Sequence, residues 1–227
     1  MALADYIVEK PVIDAPRLRL RPLRPDDVPA LEEWMADKSL YAYWGKGPGK
    51  TERQPALLFA RPAKPSKSFH LGIEEKSTGK AVGDLWVYRI ENDRTATVAI
   101  RLAPSRQGRG FGTEALAAMT RFCFDRTELR HLRAEVDVRN TPSRRMLEKC
   151  GYRQEGPVRH GKMVSVQCDY CVYGIQTKPR KPRYLSPTKK AQKGSVPFVL
   201  FPYPANPTET GSVPFFALWE GVQKVAG

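Results

Sequence analysis

The stretch Gln107-Gly108-Arg109-Gly110-Phe111-Gly112-Thr113 offers the first chemistry in this sequence, because its glycines fall where a strand turns into a helix. An alternating apolar segment precedes it (Val98, Ile100, Leu102) and a helically spaced one follows (Leu116, Met119, Phe122, Cys123). Glycines let backbone N–H groups approach a ligand closely, and a helix N-terminus adds unpaired donors and about half a positive charge. A phosphate or pyrophosphate is the expected guest, with a purely structural glycine turn as the alternative. A Walker loop would end in Gly-Lys-Ser/Thr, whereas this one ends in Gly112-Thr113-Glu114. The dinucleotide fingerprint also fails, since Gly108-x-Gly110-x-Gly112 lacks a glycine at the required third offset and has no early βαβ context. A second strand-to-helix turn, Asn140-Thr141-Pro142-Ser143, follows the alternating segment His131 to Val138. Thr141 is the expected N-cap there, and Pro142 the first helical residue.

The elements that must hold these two turns are legible from periodicity. Arg17-Leu18-Arg19-Leu20-Arg21 alternates as a strand with its leucines inward. Pro25 opens a helix with Asp26 and Asp27 in its first turn and Val28, Leu31, Trp34 and Met35 as its buried stripe. Tyr41 to Pro48 form an aromatic connection that could be half of a substrate pocket or a loop folded over the core. Thr51 and Gln54 suggest a capping box for a short helix reaching about Arg61. Strands are expected at Phe69 to Ile73, Ala81 to Ile90 and Thr95 to Ala103, separated by turns at Ser77-Thr78-Gly79-Lys80 and Glu91-Asn92-Asp93-Arg94. A helix from about Thr113 to Asp125 follows the glycine loop. In the later helix Met146, Leu147 and Cys150 face the core and Gly151 ends it. Lys162 to Thr177 supplies the last two strands. The expected fold class is α/β, with a mixed, mostly antiparallel sheet flanked by helices; a doubly wound parallel sheet is disfavoured.

Gln107-x-x-Gly110-x-Gly112 resembles the acyl-CoA loop of the GNAT superfamily of N-acetyltransferases. Asn140-x-x-Ser143, followed by Lys149-x-Gly151-Tyr152, is similar to the Asn-x-x-Ser and Lys-x-Gly-Phe signature of the RimJ/RimL-like branch, which acetylates N-terminal amines of ribosomal proteins. Leu18-Arg19-Leu20-Arg21-Pro22-Leu23 and Asp169-x-x-x-Tyr173 extend the likeness over residues 12–177, the expected catalytic domain, and it implies the GNAT fold.

The resemblance implies acetyl-CoA as cosubstrate and a primary amine as acceptor, most of all a peptide or protein N-terminal α-amine. Backbone groups of Arg101, Leu102 and Ala103 would hold the pantetheine arm. Gln107, Gly108, Arg109, Gly110, Phe111, Gly112 and Thr113 would hold the pyrophosphate, and a strand N–H near Leu102 would serve the oxyanion. Ser143 is the catalytic candidate for the leaving sulfur, against the alternative that it only caps backbone, and Asn140 would orient cofactor or substrate. Two departures stand out: Thr97 occupies a strand position where many relatives carry Glu, and Leu147 replaces a tyrosine. Glu74, Asp84, His70 and His160 remain as candidate bases. An α-amine, with a pKa of about 7.7 to 8.0, tolerates a missing base better than a lysine amine near 10.4. A small-molecule amine acetyltransferase and a nonenzymatic CoA-binding module remain as alternatives.

Composition frames this reading. The chain has 227 residues, 41% of them hydrophobic, and a net charge of +14, which suits a polyanionic cofactor and leaves nucleic-acid or ribosome contact open. No apolar run long enough for a membrane span occurs and the start lacks a signal pattern, so a soluble cytoplasmic protein is expected; a homodimer is left open. Cys123, Cys150, Cys168 and Cys171 read as buried, reduced thiols rather than, at Cys168-x-x-Cys171, a zinc or redox pair, and no metal site is expected. Residues 178–227 form a basic, proline-rich extension of unknown role, in which Gly-Ser-Val-Pro-Phe occurs twice.

Overall fold

A computed structural model describes residues 6, 9–43, 48–59, 68–92, 94–163 and 166–177. The extension 178–227 and the tip of the aromatic connection, Trp44 to Gly47, lie outside the described residues. Among the described residues nine strands form one sheet: β1 (Ile13–Asp14), β2 (Leu18–Arg21), β3 (Phe69–Glu75), β4 (Ala81–Glu91), β5 (Thr95–Leu102), β6 (His131–Asp137), β7 (Arg153–Gln154), β8 (Arg159–Met163) and β9 (Val166–Gln176). Their order is β1-β2-β3-β4-β5-β6-β9-β7, with β8 paired to β9. β5 and β6 run parallel, and every other described pair is antiparallel. This is the expected mixed, mostly antiparallel α/β sheet.

Alternation divides the sheet into two faces. Leu18, Leu20, Leu71, Ile73, Leu85, Val87 and Val98 point to one face, where they meet Leu116, Met119 and Cys123 of α3 (Phe111–Arg126) in the main core. The other face is covered near β4 by α1 (Val28–Glu32) and the turn after it, which place Leu31, Trp34 and Met35 on Ala81 and Ala103. Two helix starts differ from their expected form. The Pro25 segment begins as a 3-10 turn, Pro25–Asp27, before the short α1. There the Asp27 carboxylate receives both terminal nitrogens of Arg21 at 2.7 Å, and that partner outweighs α-helical propensity. The Thr51 capping box does not form: α2 (Lys50–Arg53) starts at Gly49 with no side-chain cap, and Pro55, which cannot donate an N–H, forces the chain into a separate 3-10 turn, Pro55–Leu58.

The decisive feature of the sheet is where the parallel pair stops. β5 and β6 are in register at Thr95 with His131, Ala96 with Leu132 and Thr97 with Arg133. Beyond that point β5 stays with β4 as far as Leu102, while β6 stays with β9 as far as Asp137. The two strands therefore part, and a cleft opens between their C-terminal halves.

Candidate functional site

A cavity of about 950 Å³ fills this cleft, lined on one side by Val98 to Leu102 and on the other by Ala134 to Asp137. That is the upper end of the range for small-molecule pockets. Backbone donors face it for a topological reason. Ala103 donates its N–H to Val82 of β4 at 2.8 Å, so the alternation of strand hydrogen bonds turns the polar groups of Leu102, Ile100 and Val98 toward the departed β6. A ligand laid along the cleft could take up these groups as an added strand would. The carbonyl of Leu102 is already occupied, since Gln107 Nε2 donates to it at 3.0 Å. Gln107 thus braces the glycine loop against the end of β5.

At one end of the cavity stand Gln107, Gly108, Gly110, Gly112 and Thr113. α3 has Gly110 as its N-cap, in the left-handed region at φ 79 and with no side-chain cap, so the first N–H groups of the helix are left for a guest. Arg145 and Lys149 line the same cavity from α4 (Thr141–Lys149) and add positive charge. Glu114, in the first turn of α3, receives Arg17 N at 2.6 Å and Arg17 Nε at 2.7 Å, and Arg17 Nη1 donates to Arg109 O at 3.1 Å. This arginine ties the β1–β2 corner to the loop. Among the expected cofactor contacts, Ala103, Arg109 and Phe111 are not in the lining: Ala103 and Phe111 are buried, and the guanidinium of Arg109 lies 5.4 Å from the Phe111 ring centre. Arg101 lines it although its buried side chain belongs to another cluster, described below.

α4 begins one residue earlier than its sequence suggests. Asn140, not Thr141, is the N-cap: its Oδ1 accepts from Ser143 N at 3.1 Å, and Pro142 takes the second helical position. An Asn carboxamide reaches the third backbone N–H, and Thr141 becomes an ordinary first-turn residue. Ser143 lines the cavity with a hydroxyl that the cap does not use. The helix ends in a Schellman motif, with Tyr152 N donating to Leu147 O and Gly151 N to Glu148 O, both at 3.0 Å, while Gly151 stands at φ 85. Tyr152 then reaches Thr120 of α3 through its hydroxyl at 2.8 Å, so the two helices that flank the cavity are fastened together.

The other end of the cavity is aromatic and acidic, lined by Ser39, Leu40, Tyr43, Trp86, Tyr88, Arg89, Glu135 and Asp137. Behind its wall lies a buried ion cluster. Asp84, wholly buried, accepts Arg101 Nε at 3.0 Å and Nη2 at 2.6 Å, and lies 3.2 Å from His70 Nε2. Burial pulls its carboxyl upward, but hydrogen bonds from Arg101 and His70 win and hold it below the usual carboxylate range. His70 stacks on Trp86 with ring centres 4.5 Å apart, and the Arg101 guanidinium lies 4.8 Å from the centre of the Trp86 ring. Trp86 is therefore a fixed wall. Glu74 is bound by Arg21 and Arg19, and His160 by Asp169 at 2.6 Å, so none of the four candidate bases is in the lining.

Arg89 breaks the local rules of β4. The register shifts between Tyr88 and Glu91, and Arg89 sits at φ 48. A left-handed residue with a Cβ costs roughly 1–2 kcal/mol. Arg89 reaches over β5 to Glu135 on β6, with Nη1 to Oε1 at 2.9 Å, but the side chains are 54% and 24% exposed. Such a pair returns about 0–1 kcal/mol, so stability alone does not account for the strained residue. Asp137 is bound differently, by Arg139 N and Nε at 2.9 Å and Nη2 at 2.6 Å, and these bonds hold its carboxyl low.

A family model described as the acetyltransferase (GNAT) domain matches residues 17–153. The chain belongs to the GNAT acetyltransferase family. It is an acetyl-CoA-dependent N-acetyltransferase acting on amines. It is 24% identical over 176 residues to the uncharacterized N-acetyltransferase YoaA of Bacillus subtilis, an overlap that covers 75% of this chain and 99% of that protein. Its fold is similar to that of Mycobacterium smegmatis RimJ in complex with CoA-disulfide, with a TM-score of 0.61 at 24% identity over 73% of this chain and 87% of that one. It is also similar to spermidine N-acetyltransferase from Vibrio cholerae in complex with CoA and spermine, with a TM-score of 0.60 at 21% identity over 70% and 95% of the two chains.

Within this GNAT fold, sequence reasoning did not find the aromatic and acidic end of the cavity apart from its connection at Tyr41 to Pro48. Of that connection Tyr43 lines the cavity, whereas Tyr41 is buried and donates its hydroxyl to Met35 O at 2.6 Å. Alternation places Trp86 and Tyr88 on one face, but nothing local says that β5 and β6 part beside them. None of the four cysteines is in a disulfide; Cys123 and Cys171 are buried as expected, whereas Cys150 and Cys168 are only half-buried, and no group of metal-ligating side chains occurs among the described residues. No described helix is long and apolar enough to cross a membrane.

Proposed function

We propose that this enzyme acetylates the α-amino group of a peptide or protein N-terminus, with acetyl-CoA bound in the cleft between β5 and β6. The glycine loop and the N-terminus of α3, with Arg145 and Lys149 nearby, supply donors and positive charge for the pyrophosphate. The cleft-facing groups of Val98, Ile100 and Leu102 suit the pantetheine arm, and an N–H among them suits the thioester oxygen, a donor worth about 3 kcal/mol to acyl transfer. The Ser143 hydroxyl, in the cavity lining and not used by the cap, suits donation to the departing sulfur, while Asn140 is occupied with holding the helix end in place. Most of the rate then comes from positioning.

The observation that carries the choice of acceptor is that both carboxylates in the cavity lining are paired with arginines, Glu135 with Arg89 and Asp137 with Arg139. Among the described residues of the lining, no unpaired carboxylate waits to strip a strongly basic amine. An α-amine of pKa about 7.7 to 8.0 is roughly a tenth neutral at pH 7, whereas a lysine amine is almost wholly protonated. The aromatic and acidic end favours, as a second reading, a cationic small amine of the kind named in the spermidine enzyme. The test is thiol release from acetyl-CoA with a short peptide bearing a free N-terminal serine or alanine, its N-blocked counterpart, and spermidine. Turnover of the free peptide alone is the expected result, and turnover of spermidine alone would overturn the choice. Ser143→Ala should lower kcat at least tenfold with the Kd of CoA unchanged; an unchanged kcat would remove Ser143 from the chemistry.

A further inference from the structure

Arg89 and Glu135 form an ion pair across the acceptor end of the cavity that the fold does not need, and both residues line it together with Trp86 and Tyr88. We infer that Glu135 is the seat of the acceptor's ammonium group and that Arg89 is a resident cation which the ammonium replaces, an inference that rests on the acetyltransferase reading above.

Three features mark this pair among the ion pairs at the cavity. Its arginine is held at φ 48 in a bulge of β4, so the backbone is bent in a way that a surface ion pair of this exposure does not repay. Its contact is a single one, Nη1 to Oε1 at 2.9 Å, whereas Asp137 is held by three donors of Arg139 and Asp84 by two of Arg101. Arg133, the other cation two residues from Glu135 along β6, is engaged elsewhere, with Nε 3.4 Å from Glu155 Oε2. Of the carboxylates in the lining, Glu135 is thus the one whose partner can leave without opening a second network.

Exchange of a guanidinium for an ammonium also keeps Glu135 paired throughout, so no uncompensated charge is left in a half-buried place. The displaced guanidinium has somewhere to go, because it already lies 5.5 Å from the Tyr88 ring centre and half in solvent. Tyr88 and Trp86 line the same end of the cavity and flank the chain behind the incoming ammonium. The class of ligand is a primary ammonium on an extended body, found both on a peptide N-terminus and on a polyamine. An ammonium caught here must pass one proton to solvent water before attack, and an α-amine does so at neutral pH far more readily than an alkylamine.

The test uses the full chain saturated with CoA, titrated calorimetrically with an alanine-first hexapeptide, its N-acetylated counterpart and spermidine, beside steady-state thiol release from acetyl-CoA. Glu135→Gln keeps the shape and removes the charge. It should raise KM and Kd for the active amine at least about tenfold, with CoA affinity unchanged and kcat moved less than KM. Arg89→Gly removes the competing cation and the strained residue together, and should lower KM by about threefold without lowering Tm. Binding of the peptide alone assigns the ammonium to an N-terminus and binding of spermidine alone to a polyamine; either supports the seat. A KM within twofold of wild type in Glu135→Gln, a raised KM in Arg89→Gly, equal binding of the acetylated peptide, or binding of neither amine would each overturn the inference. Failure of CoA itself to bind would instead strike the acetyltransferase site as a whole.

Discussion

Gly108 and Gly79 make a matched pair on which the role of the glycine loop can be tested. Both stand at φ +71, and a Cβ added to either meets nothing within 4 Å. Gly79 lies in the β3–β4 turn, outside the cavity lining, whereas Gly108 lines the cavity. Alanine at either position pays the left-handed penalty, about 1 kcal/mol, with no clash to confuse the result. For a domain of this size that corresponds to a Tm lower by roughly 2–4 °C in both variants. The cofactor should tell them apart. In Gly108→Ala the loop relaxes toward negative φ and a methyl stands where backbone N–H groups would meet phosphate, so the Kd of CoA should rise at least about tenfold, equivalent to about 1.4 kcal/mol. In Gly79→Ala it should stay unchanged. Calorimetric titration with CoA, beside thermal unfolding of each variant, measures both terms. Equal CoA affinity in the two variants, or an equal loss in both, would refute the assignment of the loop to the pyrophosphate.

Asn140→Ala should lower Tm by a few degrees, for a lost cap of about 1 kcal/mol, whereas Ser143→Ala should leave Tm unchanged; differential scanning calorimetry separates the two. Asp84→Asn leaves the buried Arg101 guanidinium with only the more distant Glu52 carboxylate, at 3.5 Å, and should cost about 3 kcal/mol, measured as a urea midpoint lowered well beyond that of either glycine variant. The Asp84 carboxyl is depressed by its partners, so its contribution is present above the ordinary carboxylate pKa and lost as pH falls through the lower folded value. An acid titration followed by circular dichroism should therefore begin at higher pH in Arg101→Met than in the wild type. Burial pushes the Tyr41 phenol up to about 12; its stabilisation is full below pH 10 and lost as pH rises toward 12, so Tyr41→Phe should broaden alkaline stability, read by far-ultraviolet dichroism.

Local patterns carried most of the element order because they depend on neighbours in sequence. Alternation in Leu18 to Arg21, Phe69 to Ile73 and Thr95 to Leu102 foretells strands, and the glycines after Gln107 foretell a strand-to-helix turn. Errors fell at helix starts, where competition among adjacent caps decides. Asn140 outcompeted Thr141, and Pro55 stopped a helix that Thr51 had been expected to open. The extension 178–227, identified by composition, lies outside the described residues.

By itself the sequence determined the kind of protein: an α/β acetyltransferase with a glycine-rich strand-to-helix turn at Gln107 to Thr113 and a second helix start at Asn140 to Ser143. Those are local designs, written in residues that touch along the chain. Only the tertiary structure decided where the cavity lies. The parting of β5 and β6 after Thr97 depends on which partner each strand keeps, and it opens the cavity. The meeting of Arg89 with Glu135, 46 residues apart, depends on a bulge in one strand and the register of two others. Such contacts are set by long-range pairing, and no spacing within a single segment encodes them.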